Sequence, residues 1–498
     1  MRFEAFSRRA AEQRSDCLVV GAFERAELGP EAQAIDRAMR GRIRTLLTRG
    51  DFSGRAGETL LVTEPSGIRS ARLLLVGLGS KAQFSRRGWR KAVGHAVTAL
   101  SRTRVGSATV ALERPSARDF DDYYFARAVA EITGSTLYRI NDLKSARKPR
   151  PAALARVQVG PVGAAALPAA RRGLAAGAAL TESARLVRNL GNLPPNVCTP
   201  RYLAAQAREL ERTYRRRLRV RIFDAAACRR LKMGCFLAVT RGSEEPPRFI
   251  VLEYRGARRS RAPVVLVGKG VTFDTGGISL KDPPSMDEMK FDMCGAATVL
   301  GAIDYAARSQ LNLNIIGLVP ACENMPDGRA TKPGDIVTSG SGQTVEILNT
   351  DAEGRLILCE ALNYARRYDP EVVVDFATLT GACIIALGNH FSGIMANDDA
   401  LARELVECGT RTDDRAWQLP LTEDYADQLR SNFADFANIG GREGGAITAA
   451  AFLGKFTQGL RWAHMDIAGT AWTGGAAKGA SGRPLSLVSD FLSRRAAG

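Results

Sequence analysis

The chain has 498 residues, 45% apolar and 24% charged, a balance that excludes a disordered or fibrous protein and is too long for one ordinary core. Its 70 Lys and Arg outnumber 52 Asp and Glu, for a net charge of +18 at pH 7, and there are only three His. No run reaches the ~18 apolar residues of a membrane span, and Glu4, Glu12 and Asp16 argue against a secretory or transit segment. Nine scattered cysteines without a C-x-x-C pair fit a reducing cytoplasm.

In chain order, short apolar runs predict strands at 17–23, 60–64 and 71–80, then a helix at 89–102, a strand at 107–112 and a helix at 119–132. This alternation describes a small α/β domain. Gly77 and Gly79 lack the third glycine of a dinucleotide fingerprint and read as a strand-to-helix turn. The Pro-, Ala- and Arg-rich stretch 145–163 reads as a linker. An Ala-rich helix follows from about 168 to 189 and is stopped by Pro194 and Pro195. The expected division is a domain over 1–165, a bridging helix over 166–195 and a larger domain over 196–498. In the latter, strands are predicted at 220–224, 248–254, 263–270, 314–320, 344–348 and 371–378, with helices at 296–308 and 356–368. Several strands are apolar on both faces, which predicts a three-layer α/β/α sandwich around a large, mixed, mainly parallel sheet. Sites on such sheets gather beyond the C-terminal ends of the strands.

Three segments fall there. PVVLVGKGVTFDTGGISLK (263–281) carries Lys269, Asp274 and Lys281, MKFDMCGAATV (289–299) carries Asp292, and NTDAEGRL (349–356) carries Asp351, Glu353 and Arg355. Asp351 and Glu353 are two apart, so on extended backbone they leave on one side, and Gly354 is expected to let the chain bend into the helix. Converging carboxylates repel unless a cation lies between them: Arg355 itself, a salt-bridge network, or bound metal. Four carboxylates match the charge of two divalent ions. Such ions would be ~3.5–4 Å apart and would lower the pKa of a shared water to make a nucleophile. A lysine joins such a site only as the neutral amine. Further lysine and arginine side chains suit an oxyanion. The near absence of histidine and of H-E-x-x-H excludes a mononuclear His-ligated zinc hydrolase.

These segments, with ENMPDGRATKPGDIV (323–337), ANIGGREGGAITAAAFL (437–453) and WAHMDIAGTAW (462–472), resemble the leucine aminopeptidase family, including bacterial cytosol aminopeptidases. The likeness covers nearly all of 185–490 and is weak before 165. It implies a small, macro-domain-like N-terminal α/β domain and a di-metal catalytic domain that removes N-terminal residues, leucine and other apolar ones foremost, from peptides. By the resemblance, Asp274 and Glu353 bridge two divalent ions, Mn2+ or Zn2+. Lys269 and Asp292 complete the tighter site, and Asp351 completes the more exchangeable one. Lys281 polarises the scissile carbonyl, and Arg355 holds a bicarbonate that serves as general base. Met289, Thr378 and Gly381 line the pocket for the first side chain. A homohexamer in the cytoplasm is also implied.

Two departures are visible: Cys294 stands where glycine is common, raising the prospect of sensitivity to oxidation, and Asp282, Pro283 and Pro284 stiffen the loop after Lys281. Neither touches an expected ligand. Residues 1–250 hold 46 basic against 22 acidic side chains, so nucleic-acid binding by this half is an alternative or additional role. A two-metal phosphoesterase is disfavoured because such sites usually contain histidine.

Overall fold

The structure is a computed structural model that describes residues 1–116, 120–140, 143–145, 153–284 and 286–497. It divides into two compact units, Met1–Glu182 and Ser183–Gly498, the division falling inside the helix Leu167–Asn192. Among the described residues no helix is long and apolar enough to cross a membrane.

The first unit contains β1 (Arg2–Ala5), β2 (Cys17–Ala22), β3 (Thr59–Thr63), β4 (Arg72–Gly77), β5 (Ser107–Ala111) and β6 (Arg156–Val159). They form one sheet in the order β1-β6-β5-β2-β4-β3, parallel except between β3 and β4. Alternation along the central strands supplies both faces. Val19, Leu74 and Val76 pack with Trp89, Val93 and Phe125 of the helices Arg86–Ser101 and Asp122–Leu137. Leu18, Val20, Leu73 and Leu75 pack with Ile35, Ile43 and Leu46 of Pro30–Ala38 and Arg42–Arg49. β6 corrects the expectation of a linker over 145–163. Val157 and Val159 are buried, and Gln158 and Thr109 hydrogen-bond at 3.0 Å between β6 and β5. Residues 146–152 of that stretch, and Asp119 at the predicted helix start, lie outside the described residues.

The second unit contains β7 (Leu218–Phe223), β8 (Arg248–Arg255), β9 (Val264–Gly268), β10 (Gly270–Asp274), β11 (Asn314–Asn324), β12 (Asp335–Thr338), β13 (Thr344–Ile347), β14 (Val372–Ala377), β15 (Ser392–Ala396), β16 (Ala416–Gln418), β17 (Phe436–Ala437) and β18 (Trp462–Asp466). Nine of them form a mixed sheet in the order β16-β15-β18-β14-β9-β11-β8-β7, with β10 pairing on β11. Its centre, β18-β14-β9-β11, is parallel. Helices cover both faces. In β11, Ile316 and Leu318 share a cluster with Leu356, Ile357 and Cys359 of the helix Glu353–Ala365. Gly317 between them faces Val299 and Ile303 of the helix Cys294–Arg308. The predicted strand at 344–348 exists as β13 but lies outside the large sheet, pairing with β12 and β17.

One glycine sets how closely a helix approaches the sheet. A Cβ on Gly295 would lie 2.1 Å from the Phe376 carbonyl oxygen and 2.8 Å from the Lys269 nitrogen. Both are backbone atoms that cannot swing aside, so Gly295→Ala is expected to cost about 1–3 kcal/mol of stability, read as a lower denaturant midpoint.

Candidate metal and catalytic site

The parallel strands deliver the polar residues at their C-terminal ends. Lys269 occupies the break between β9 and β10, where its N–H donates to the Phe376 carbonyl at 3.0 Å and its carbonyl accepts from Ala296 N–H at 2.8 Å. Backbone on two neighbouring elements therefore fixes this side chain's origin. Asp274 ends β10, Asn324 ends β11, and Thr378 follows β14. Asp292 precedes the helix Cys294–Arg308, and Glu353 opens the helix Glu353–Ala365. Neither helix has a side-chain cap, so each carboxylate lies near a positive, uncapped helix end.

The expected seven charged residues come together in two lysine-centred groups and one outlier. Lys269 Nζ lies 2.8 Å from Asp292 Oδ2 and 2.8 Å from Glu353 Oε1, and donates to the Thr378 carbonyl at 3.1 Å. Lys281 Nζ lies 2.9 Å from Asp274 Oδ2 and also contacts Asp351 Oδ1. Carboxylate oxygens of Asp274, Asp351 and Glu353 all lie within 4.8 Å of one another. Arg355 stands apart. Its Nη1 donates to the Asn438 carbonyl at 2.8 Å, and its Nε has no hydrogen-bond partner among the described residues. Among the described residues it forms no ion pair with a carboxylate of its own loop.

The electrostatics follow from crowding in a dry place. Burial alone would depress the Lys269 amine, but Asp292, Glu353 and Asp274 outweigh it and hold its pKa above the lysine value. Lys281 is raised in the same way, burial being overcome by Asp274, Glu353 and Asp351. Burial raises Glu353, reinforced by Asp274 and opposed by Lys269, and burial also raises Asp292 and Asp351. Burial lowers Arg355 to about 10, against the pull of Glu353 and Asp466. Two ammonium groups facing four carboxylates leave the cluster short of positive charge. Glu353 Oε2 is buried with no hydrogen-bond partner among the described residues. An acceptor that is buried, anionic and unpaired is costly. Hard oxygen donors and an amine at this spacing fit divalent metal.

Thr378, expected to line the pocket for the first side chain, donates from its Oγ1 to Asp292 Oδ1 at 2.7 Å. Gly381 opens the helix Gly381–Leu387, and a Cβ there would meet nothing within 4 Å. Met289 lies in the 3-10 turn Met286–Phe291, half-buried, its carbonyl accepting from Asp292 N–H at 3.3 Å. Gly354 has a different role from the one expected. The helix already begins at Glu353, and a Cβ on Gly354 would lie 2.8 Å from Lys269 Nζ, so glycine serves close approach rather than a bend. Cys294 is buried, and burial pushes its thiol well up, away from a reactive thiolate.

Sequence reasoning missed Asn324. Its Nδ2 donates to Asp274 Oδ1 at 2.8 Å and to the Thr350 carbonyl at 3.1 Å, orienting the carboxylate and tying down the acidic loop. Its position at the head of ENMPDGR was the available signal. A second cluster of metal-type donors, Cys235, Cys359 and Glu360, is buried elsewhere in this unit. Glu360 accepts from the Cys235 and Gly340 N–H groups at 2.9 Å each, and Cys359 donates to the Leu356 carbonyl at 3.1 Å. Those donors are already engaged in joining segments of the core.

A histidine-free cluster of carboxylates and lysines at the strand ends of an α/β/α sheet is chemistry of the kind that metal-assisted, carboxylate-rich hydrolases use. Residues 185–489 match the cytosol aminopeptidase family's catalytic domain, and residues 19–147 match its N-terminal domain. The chain is 49% identical over 496 residues to a probable cytosol aminopeptidase of Methylobacillus flagellatus, covering 100% of both chains. It is 51% identical over 490 residues to one from Ralstonia pickettii, covering 98% of this chain and 97% of the relative. Among solved structures, a mutant of tomato leucine aminopeptidase matches with a TM-score of 0.88 at 33% identity, over 99% of this chain and 96% of that one. The bottromycin maturation enzyme BotP in complex with Mn matches with a TM-score of 0.81 at 33% identity, over 97% and 100%. The chain belongs to the cytosol aminopeptidase family and is an aminopeptidase, a hydrolase of a metal-dependent family.

Proposed function

We propose that this aminopeptidase works with two divalent ions held by Lys269, Asp274, Asp292, Asp351 and Glu353, and prefers leucine and other apolar N-terminal residues. The observation that carries the reading is Glu353, whose Oε2 is buried and unpaired beside the carboxylates of Asp274 and Asp351, while its Oε1 shares Lys269 with Asp292. Mn2+ is the first candidate because BotP is known in complex with Mn, and Zn2+ is the second. Such ions would supply Lewis acidity to the scissile carbonyl and to a water nucleophile.

The chain's own residues do the rest. Asp274, Asp292, Asp351 and Glu353 would supply the oxygen donors, with Thr378 orienting Asp292 and Asp351 held on the acidic loop. Lys269 would join such a donor set only as the neutral amine. Lys281, with its side chain 23% exposed, reaches the open side and donates to the carbonyl oxygen as negative charge develops on it. Arg355 leaves part of its guanidinium fork free to hold an anion, with bicarbonate the candidate general base. Met289, Thr378 and Gly381 would receive the first side chain, a reading supported by the open space at Gly381, where a Cβ would meet nothing within 4 Å. The family resemblance also supports peptide substrates, a homohexamer and a cytoplasmic location.

The deciding experiment strips the protein with a chelator, titrates Mn2+, Zn2+, Mg2+ and Co2+ separately, and assays a panel of aminoacyl anilides. Stripping is expected to abolish hydrolysis and lower the melting temperature. Mn2+ or Zn2+ is expected to restore both, since a ligand bound only by the folded state adds stability. Full activity in the stripped protein would remove the two-metal reading.

A further inference from the structure

We propose that Asn438 is a positioning residue that holds Asp351 and Arg355 in one fixed relation, an inference that rests on the roles given to those two residues above. Asn438 is fully buried and follows β17, a strand only two residues long. Its side chain grips the acidic loop with every group it has. Oδ1 accepts from Leu348 N–H at 2.8 Å and Asn349 N–H at 3.3 Å, and Nδ2 donates to the Asn349 carbonyl at 2.7 Å. Asn349 then passes the grip on, its Oδ1 accepting from Asp351 N–H at 2.8 Å. On the other side, the backbone carbonyl of Asn438 accepts from Arg355 Nη1 at 2.8 Å, and its own N–H donates to the Glu346 carbonyl at 2.9 Å.

One residue therefore sets the origin of a metal-binding carboxylate through its side chain and the angle of an anion-holding guanidinium through its main chain. The loop is held separately at Thr350, by Asn324, Ser279 and Gly276, so the Asn438 amide governs Leu348, Asn349 and, through Asn349, Asp351. Without the amide, the N–H groups of Leu348 and Asn349 lose their partner together and the Asn349 carbonyl keeps the longer bond from Ala352 N–H at 3.3 Å, while the carbonyl seating Arg355 rests on the short β17–β13 pairing and on the Ala437 N–H bond to the Leu429 carbonyl at 2.8 Å. No other side-chain type offers an acceptor and a donor at this length without charge, apart from the longer glutamine.

The test compares Asn438→Ala and the nearly isosteric Asn438→Asp with Asp351→Asn and Arg355→Ala, all as full-length protein. Turnover of a leucyl anilide, Mn2+ binding by calorimetry and melting temperature are measured for each. Both Asn438 variants are expected to lose about 10–100-fold in kcat and in Mn2+ affinity at the weaker site, with KM nearly unchanged. Asn438→Asp keeps the size and one acceptor but turns the donor toward Asn349 into a second acceptor, so it is impaired even if Asn438→Ala does not fold. A lower melting temperature with wild-type kcat and Mn2+ affinity in Asn438→Asp would make Asn438 structural only and overturn the inference. Full activity in Asp351→Asn and Arg355→Ala would instead overturn the roles beneath it.

Discussion

Glu353→Gln is expected to lower kcat on leucyl anilides at least ~1,000-fold, about 4 kcal/mol in the barrier, while the metal-free fold stays intact. The substitution keeps shape and burial and removes only the charge. In the metal-free protein that charge is a burden, since burial and Asp274 both raise the pKa of Glu353. Lys269 keeps Asp292 as a partner at 2.8 Å. The melting temperature of the stripped variant is therefore expected to stay close to that of the stripped wild type. Added Mn2+ is expected to raise the melting temperature of the wild type and not of the variant, a readout independent of turnover. Wild-type turnover in Glu353→Gln would sink the assignment of the two ions.

The second large effect is at Lys281. Lys281→Ala is expected to lower kcat by about 100–1,000-fold, the usual loss when one oxyanion donor is removed. KM is expected to change only a few-fold, because the interaction strengthens only as charge develops on the carbonyl oxygen. Mn2+ binding is expected to survive, since Asp274 also accepts from Asn324 at 2.8 Å and from Gly276 N–H at 2.9 Å and remains oriented. A fall in KM-limited rate with unchanged kcat would place Lys281 in substrate binding instead.

Charge made most of this site legible. Lysines and carboxylates clustered at the ends of apolar runs can be counted and weighed without coordinates, and Lys269, Asp274, Lys281, Asp292, Asp351 and Glu353 do meet. Residues that hold those charges in place were much harder to see. Asn324 and Asn438 carry no charge to balance, and their partners are largely backbone groups or lie far along the chain. The hydrogen bond from Arg355 to the Asn438 carbonyl was hidden for the same reason, because its acceptor is a main-chain group far along the chain. Gly354 shows another limit: a glycine required for its missing side chain reads the same as one required for a turn. In the fold, long apolar strands such as β9 and β14 were evident. β6 was hidden because its two buried valines alternate with Arg156 and Gln158 beside a proline-rich stretch, and a buried Gln satisfied by Thr109 has no apolar signature.

β6 also imposes an order on synthesis. It lies between β1 and β5 and pairs with both, Arg2 opposite Arg156 and Ser107 opposite the same residue. Among the described residues β1 has no other neighbour in the sheet. At ~5–20 residues per second on the ribosome, β1 waits about 8–30 seconds after it emerges before β6 exists to pair with it. Over that interval its defence against pairing with another nascent chain is its own composition, Arg2 and Glu4 flanking a single phenylalanine.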